Sequence, residues 1–257
     1  MTLLFLHFFG SSHREYAPVI KHLSAQYHCL APDLRGFGDS PIPADNDYSV
    51  DAMTDDVVQL MDGYDGPFVV VGHSMSGKVA LNLASRQPDG LVGLVLLAPS
   101  PPSPEPMHNA ERKRLLTTHG QRAAAEETLK KITAVPLSEA FQELIINDNL
   151  RSSYAAWSAW LKRGSREDIS DRMAWVQIPI QVVLGSEDDH INADLVHKTM
   201  LNHFPEARLT TIDGAAHVLP LEKPAEVAHI VDTFAAWLLF KPTPTPSGAT
   251  KLMPTAN

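Results

Sequence analysis

The chain has 257 residues, 44% of them hydrophobic and 20% charged. That balance fits a folded globular chain long enough to bury a core unaided, with room for one large domain or two. The 21 Lys+Arg against 30 Asp+Glu give a net charge of −9, the opposite of a nucleic-acid-binding footprint. The single cysteine, Cys29, excludes an internal disulfide framework and suits a reducing compartment.

Short apolar runs alternate with amphipathic stretches, the pattern of β-α-β units around a mostly parallel sheet. A strand is predicted at 2–8 (TLLFLHF), then a helix at 14–27 with Tyr16, Val19, Ile20 and Leu23 at helical spacing. A second strand at 28–34 and an acidic amphipathic helix at 50–61 follow. The run PFVVV at 67–71 predicts a third strand, entering a helix at 75–86 after a tight turn, and LVGLVLLA at 91–98 a fourth. The proline-rich stretch 99–106 cannot be regular structure, because proline removes donors and fixes φ. Four helices without a strand are predicted next, at 109–119, 122–134, 138–149 and 154–163. Strand-helix alternation resumes with a strand at 178–184, a helix at 193–203, a strand at 207–212 and a helix at 224–240. The Pro/Thr-rich tail 241–257 lacks periodicity and predicts a flexible extension.

Charge sets the middle segment apart. Residues 99–177 carry 11 basic and 10 acidic side chains, the rest of the chain 10 and 20. No apolar run approaches the ~18 residues of a membrane span. The apolar start lacks the basic region and cleavage site of a signal peptide. These features predict a soluble cytoplasmic protein, monomer or homodimer, with neither nucleic-acid nor membrane partners.

The strongest chemical signal is VVVGHSMSGKV at 69–79, where a buried strand runs straight into a helix. A serine on such a turn is pushed out at the carboxyl end of the sheet. Its neighbours two positions away must be small for strand and helix to cross closely. Here these are Gly72 and Ser76, the latter in place of the glycine of the usual G-x-S-x-G pattern. No histidine pair has metal-ligand spacing, so no metal is expected, and no GxGxxG precedes a helix. Cys29 is read as inert packing.

Four patterns fall in a fixed order: His7-Phe-Phe-Gly10 after the first strand, DLRGFGDS at 33–40 after the second, the Gly72–Gly77 turn, and Gly185-Ser-Glu-Asp188 with Gly214-Ala-Ala-His217 near the end. In these motifs the chain resembles the α/β-hydrolase superfamily over residues 2–240. The resemblance implies an α/β fold, a mostly parallel sheet flanked by helices, with a helical lid inserted after the sixth family strand. The core would be 1–98 and 176–240, the lid 99–175. The chain begins at what that family counts as its third strand, implying a shorter sheet. Carried over, Ser74 is the nucleophile, His217 the general base and Asp188 the acid that orients it. Asp188 is preferred over its neighbour Asp189 by its spacing from Gly185. The backbone N–H groups of Phe9 and Met75 would form the oxyanion hole, with Phe8 standing where the family usually has glycine. His7 and His73 are read as shaping the site, and the 33–40 run as structural, with Arg35 pairing locally.

Trp157 and Trp160 lie three apart, on one helix face. With Phe8, His73, Met107, Phe141, Ile145 and Val218 they are candidates for a substrate pocket. The resemblance implies a cofactor-free serine hydrolase cleaving a carboxylic ester or lactone of a small to medium, largely apolar small-molecule substrate through an acyl-enzyme. Carbon–carbon bond hydrolysis, perhydrolase or haloperoxidase-like chemistry, lyase activity and ligand sensing remain open on the same scaffold.

Overall fold

The computed structural model describes residues 1–240; the predicted flexible tail, 241–257, lies outside the described residues. Six strands form one fully parallel sheet: β1 (Thr2–Leu6), β2 (His28–Leu30), β3 (Phe68–His73), β4 (Leu91–Leu97), β5 (Ile180–Gly185) and β6 (Arg208–Ile212), in spatial order β2-β1-β3-β4-β5-β6. The order reverses between β1 and β3, the place where open α/β sheets hold their sites beyond the strand ends. The central strands are continuous apolar runs because helices cover both faces of a parallel sheet, and every residue of β3 is buried.

Helices α1 (Ala17–Leu23) and α10 (Pro224–Phe240) pack together, as do α2 (Val50–Met61) and α3 (Met75–Ser85). Between β4 and β5 the chain forms α4 (Asn109–Thr117), α5 (Arg122–Ile132), α6 (Glu139–Arg151) and α7 (Tyr154–Lys162), with no strand among them. After β5 come α8 (Ala193–Val196), continued by a π turn over His197–Leu201, and after β6 the short α9 (Leu219–Glu222).

The structure shortens several predicted elements for identifiable reasons. β2 ends at Leu30 rather than at 34, because Pro32 lacks a ladder donor. Asp33 instead turns the chain, accepting from the backbone N–H of His13 at 2.6 Å and of Asp39 at 2.7 Å. β1 ends at Leu6, and the predicted helix 14–27 divides into a 3-10 turn, His13–Tyr16, and α1. Arg35 of the same run grips both carboxylate oxygens of Asp56, at 2.6 and 2.5 Å, as expected of a structural turn.

Two close approaches set the strand ends. A Cβ on Gly72 would lie 2.8 Å from the Ser76 carbonyl oxygen, so the β3–α3 crossing requires glycine there. A Cβ on Gly185 would lie 2.2 Å from the Ala216 carbonyl oxygen, so this glycine lets the loop after β6 lie against the end of β5. Ser76 itself is fully buried, and its hydroxyl is used. It accepts from the His73 N–H at 2.8 Å and donates to the Leu6 carbonyl at 2.6 Å, tying β1, β3 and α3 together. Ser76→Gly strands both backbone groups and adds a helix glycine. A loss of about 2–3 kcal/mol in stability is expected, read as a lowered midpoint in urea unfolding; an unchanged midpoint would contradict this role.

Candidate active site

Ser74 is the residue between β3 and α3, with φ 52° and ψ −113°. A non-glycine residue at positive φ is strained, and the strain lifts its side chain off the sheet. Its Oγ lies 2.9 Å from His217 Nε2, and His217 Nδ1 lies 2.7 Å from Asp188 Oδ2. The Nδ1–H donates to the carboxylate, leaving Nε2 free to accept from the serine hydroxyl. All three side chains are buried, whereas Asp189 is exposed. Asp188 is fixed further by N–H groups of His190 and Ile191 on Oδ1, at 2.8 and 3.0 Å.

Electrostatics match this geometry. Burial would raise the Asp188 pKa, but the His217 charge, its hydrogen bond and the two backbone donors outweigh that and hold it down to about 2. Burial likewise opposes protonation of His217. Asp188 overrides it by charge and hydrogen bond, with Glu105 and Glu15 adding, so the imidazole pKa is raised above its ordinary value.

The loop after β1 lies on the other side of Ser74. His7 accepts from the Leu34 N–H through Nε2 at 3.0 Å, so its Nδ1 carries the proton and donates to the Phe8 carbonyl at 2.8 Å. Phe8 avoids positive φ; the left-handed position of this turn falls on Gly10, at φ 76°. That is how a phenylalanine fits where glycine was expected. Among the described residues, neither the Phe9 nor the Met75 N–H has a protein acceptor.

A cavity of about 380 Å³ opens onto Ser74 and His217. Phe8, Met107, Ile145, Trp157 and Trp160 stand on its wall, along with Phe9. Phe9 lies against Trp157 with ring centroids 4.2 Å apart, and Trp157 Nε1 donates to the Leu115 carbonyl at 2.9 Å. Three of the sequence candidates are not wall residues. Phe141 and Val218 pack behind the wall in a cluster with Phe8, Leu129 and Ile145. His73 is fully buried beneath the site, between Glu15 Oε1 at 2.8 Å and the His217 carbonyl at 2.8 Å. Because β3 side chains alternate in direction, the residue next to an outward Ser74 turns into the protein.

Sequence reasoning missed three carboxylates. Glu15, besides holding His73, accepts weakly from the Phe8 N–H at 3.4 Å. Glu222 accepts from Ala134, Val135, Ala216 and Val218 N–H groups at 2.7 to 3.2 Å. It clamps the His217 loop to the segment that follows α5, and the His217 N–H bonds the Ile132 carbonyl at 3.1 Å. Glu105 stands on the cavity wall. Glu15 and Glu222 reach groups remote in sequence; the one local hint was Glu222 between two prolines after the last motif.

Among the described residues, His13, Asp33 and Asp39 come close enough to share an ion, but their contacts are those of the surface turn above. No described helix is long and apolar enough to cross a membrane.

The family model for the alpha/beta hydrolase family matches residues 3–230. The AB hydrolase superfamily protein YfhM of Bacillus subtilis (strain 168) is 26% identical over 236 residues, covering 81% of this chain and 80% of its own. A pimeloyl-[acyl-carrier protein] methyl ester esterase of Aeromonas salmonicida (strain A449) is 24% identical, covering 90% and 94%. The structure of an esterase from Exiguobacterium antarcticum superposes with a TM-score of 0.83 at 17% identity, covering 92% of each chain. With its match extending from β1 into α10, the chain belongs to the alpha/beta hydrolase family.

Proposed function

We propose that this ester-hydrolysing enzyme is a serine hydrolase that cleaves a small to medium carboxylic ester or lactone through an acyl-enzyme. The observation that carries the reading is the unbroken hydrogen-bonded chain from Ser74 Oγ through His217 to Asp188 at the mouth of the cavity. His217 takes the Ser74 proton as Oγ attacks the substrate carbonyl, then returns it to the departing alkoxide. Asp188 holds the imidazole tautomer and stabilises the imidazolium. The Phe9 and Met75 N–H groups receive the oxyanion; a hole of this kind is worth about 3–4 kcal/mol per donor. Water then enters and attacks the acyl carbonyl as His217 takes its proton; the Oγ–acyl bond breaks, His217 returns the proton to Ser74 Oγ, and the acid is released. No step requires a cofactor. The relatives named as esterases and lipases support the same bond type.

The inserted helices act as a lid, and α7 gives the pocket its depth. A panel of p-nitrophenyl esters from acetate to laurate tests the reading, together with fluorophosphonate labelling mapped by mass spectrometry. Turnover with an optimum at short to medium chains and an adduct on Ser74 are expected; absence of both refutes it. Trp157→Ala opens the cavity beside Phe9, so the optimum should move to longer acyl chains. An unchanged profile would remove Trp157 from the acyl site.

The pH dependence follows from the charge states. His217 must be neutral to accept the serine proton, so kcat/KM falls as pH drops through its raised pKa. The acid limb is therefore expected above 6.5, the ordinary imidazole value, and Asp188→Asn, which removes the charge that raises it, should shift the limb to lower pH. A limb that stays in place in this variant would assign it to another group.

A further inference from the structure

Glu105 stands apart from the charged residues around it. It belongs to the cavity wall with Ser74 and His217, and the other charged wall residues have partners: Glu111 binds Arg114 at 2.8 and 2.6 Å, and Lys131 binds Glu127 at 2.7 Å. The Glu105 side chain has neither a hydrogen bond nor an ion pair among the described residues, and its Oε2 is out of contact with solvent. A buried polar atom without a partner is costly and rare, and at the wall of a binding cavity it points to a ligand that supplies the missing partner.

The backbone around it is built to hold that carboxyl in place. Pro104 and Pro106 flank it, fixing φ on either side and holding Glu105 itself extended. Its N–H donates to the Ser165 carbonyl at 2.7 Å and its carbonyl accepts from Met107 at 2.8 Å. Two residues earlier, the fully buried Lys78 donates to the Ser103 carbonyl at 3.1 Å and across to the Glu167 carbonyl at 2.8 Å. These contacts fix the backbone that carries the half-buried Glu105 at the cavity wall. Burial raises its pKa, with Lys78, His217 and Arg112 pulling the other way.

The rest of the nearby wall is apolar: Phe8, Phe9, Met107, Leu115, Trp157 and Trp160. A purely hydrocarbon ester filling this space would strip water from Glu105 and give nothing back. We propose that Glu105 is a specificity-determining residue, and that the substrate is an apolar ester carrying a hydrogen-bond donor, a hydroxyl or amide N–H, that binds its carboxyl. This inference deepens the serine-hydrolase reading and rests on it for the reaction, though not for the binding contact.

The test uses three matched pairs, each differing by one donor. 2-Hydroxyethyl butyrate against propyl butyrate places it on the alcohol side. Ethyl 3-hydroxybutyrate against ethyl butyrate places it on the acyl side, and ethyl N-acetylglycinate against ethyl levulinate replaces an N–H by CH2. For each pair the kcat/KM ratio, donor over non-donor, is compared in wild type, Glu105→Leu and Glu105→Gln; differences in intrinsic reactivity cancel between variants. In at least one pair the wild-type ratio should exceed that of Glu105→Leu by about tenfold or more, the usual strength of a hydrogen bond to a charged group. Glu105→Gln, which keeps an accepting oxygen, should fall between. Ratios agreeing within about twofold across wild type and both variants in all three pairs would overturn the proposal.

The same ligand pairs are then titrated calorimetrically into Ser74→Ala and into Ser74→Ala/Glu105→Leu. This readout decides for or against Glu105 even if wild type hydrolyses none of the six esters. The fluorophosphonate adduct on Ser74 decides the serine-hydrolase reading separately. In at least one pair Ser74→Ala should prefer the donor ligand by about tenfold more than the double variant does, and preferences agreeing within about twofold in all three pairs would overturn the proposal.

Discussion

Ser74→Ala is expected to lower kcat on any ester substrate by about a millionfold while leaving the fold and substrate affinity nearly intact. The size follows from the mechanism. Without Oγ no acyl-enzyme forms, and His217 has no proton to relay. Water could take the place of the hydroxyl, but the loop that lifts residue 74 off the sheet presents only a methyl group to the substrate carbonyl. What survives is the proposed donor pair of Phe9 and Met75 with the cavity, which in such sites still gives about a thousandfold over the uncatalysed reaction. Affinity should persist because the hydroxyl is a small part of a wall dominated by Phe8, Trp157 and Trp160. Steady-state kinetics against calorimetric binding separates the two. A drop of less than about tenfold in kcat would mean that the hydrogen-bonded chain from Ser74 to Asp188 is not the reaction path.

The fold was legible in the sequence because parallel strands buried on both faces are written as unbroken apolar runs. LVGLVLLA and VVVGH could scarcely be anything else. The meeting of Ser74, His217 and Asp188 was legible because these residues follow strand ends, and strand ends carry local marks: Gly72 before Ser74, Gly185 before Asp188, Gly214 before His217. The structure shows why two of these glycines are needed, each allowing a backbone carbonyl to pass within reach.

Side-chain direction and long-range clamps were not legible. His73 adjoins Ser74 in sequence and so looked like a wall residue, yet strand alternation points it into the protein, where it meets Glu15, 58 positions away. Glu222 holds backbone groups of residues 134 and 135, contacts that no periodicity records. Proline content correctly marked 99–106 as irregular, but not that it would present Glu105 to the cavity. Likewise β2 stopped early because Pro32 has no ladder donor, and Asp33 turns the chain by accepting from the N–H groups of His13 and Asp39, effects that apolar patterning does not weigh.

Asp188→Asn should cost about 10⁴-fold in kcat, and Asp189→Asn almost nothing. The two acids are adjacent, so composition and local charge hardly change between the variants; only the contact with His217 differs. Asp188 accepts the His217 Nδ1–H at 2.7 Å, which leaves Nε2 unprotonated toward Ser74. An asparagine amide turned toward Nδ1 would donate instead, forcing the proton onto Nε2 and blocking acceptance from the serine. The alternative amide orientation restores the tautomer but places the introduced NH2 group where Oδ1 now accepts from His190 and Ile191, three donors facing one another. Either way the imidazolium formed in the transition state loses its counter-charge. The pH limb distinguishes this from simple misfolding, because a variant that merely loosens the loop keeps the wild-type midpoint, whereas loss of the Asp188 charge lowers it. If Asp189→Asn were the damaging change and Asp188→Asn harmless, the base would have to take its orientation from an exposed carboxylate, and the buried contact at 2.7 Å would be structural only.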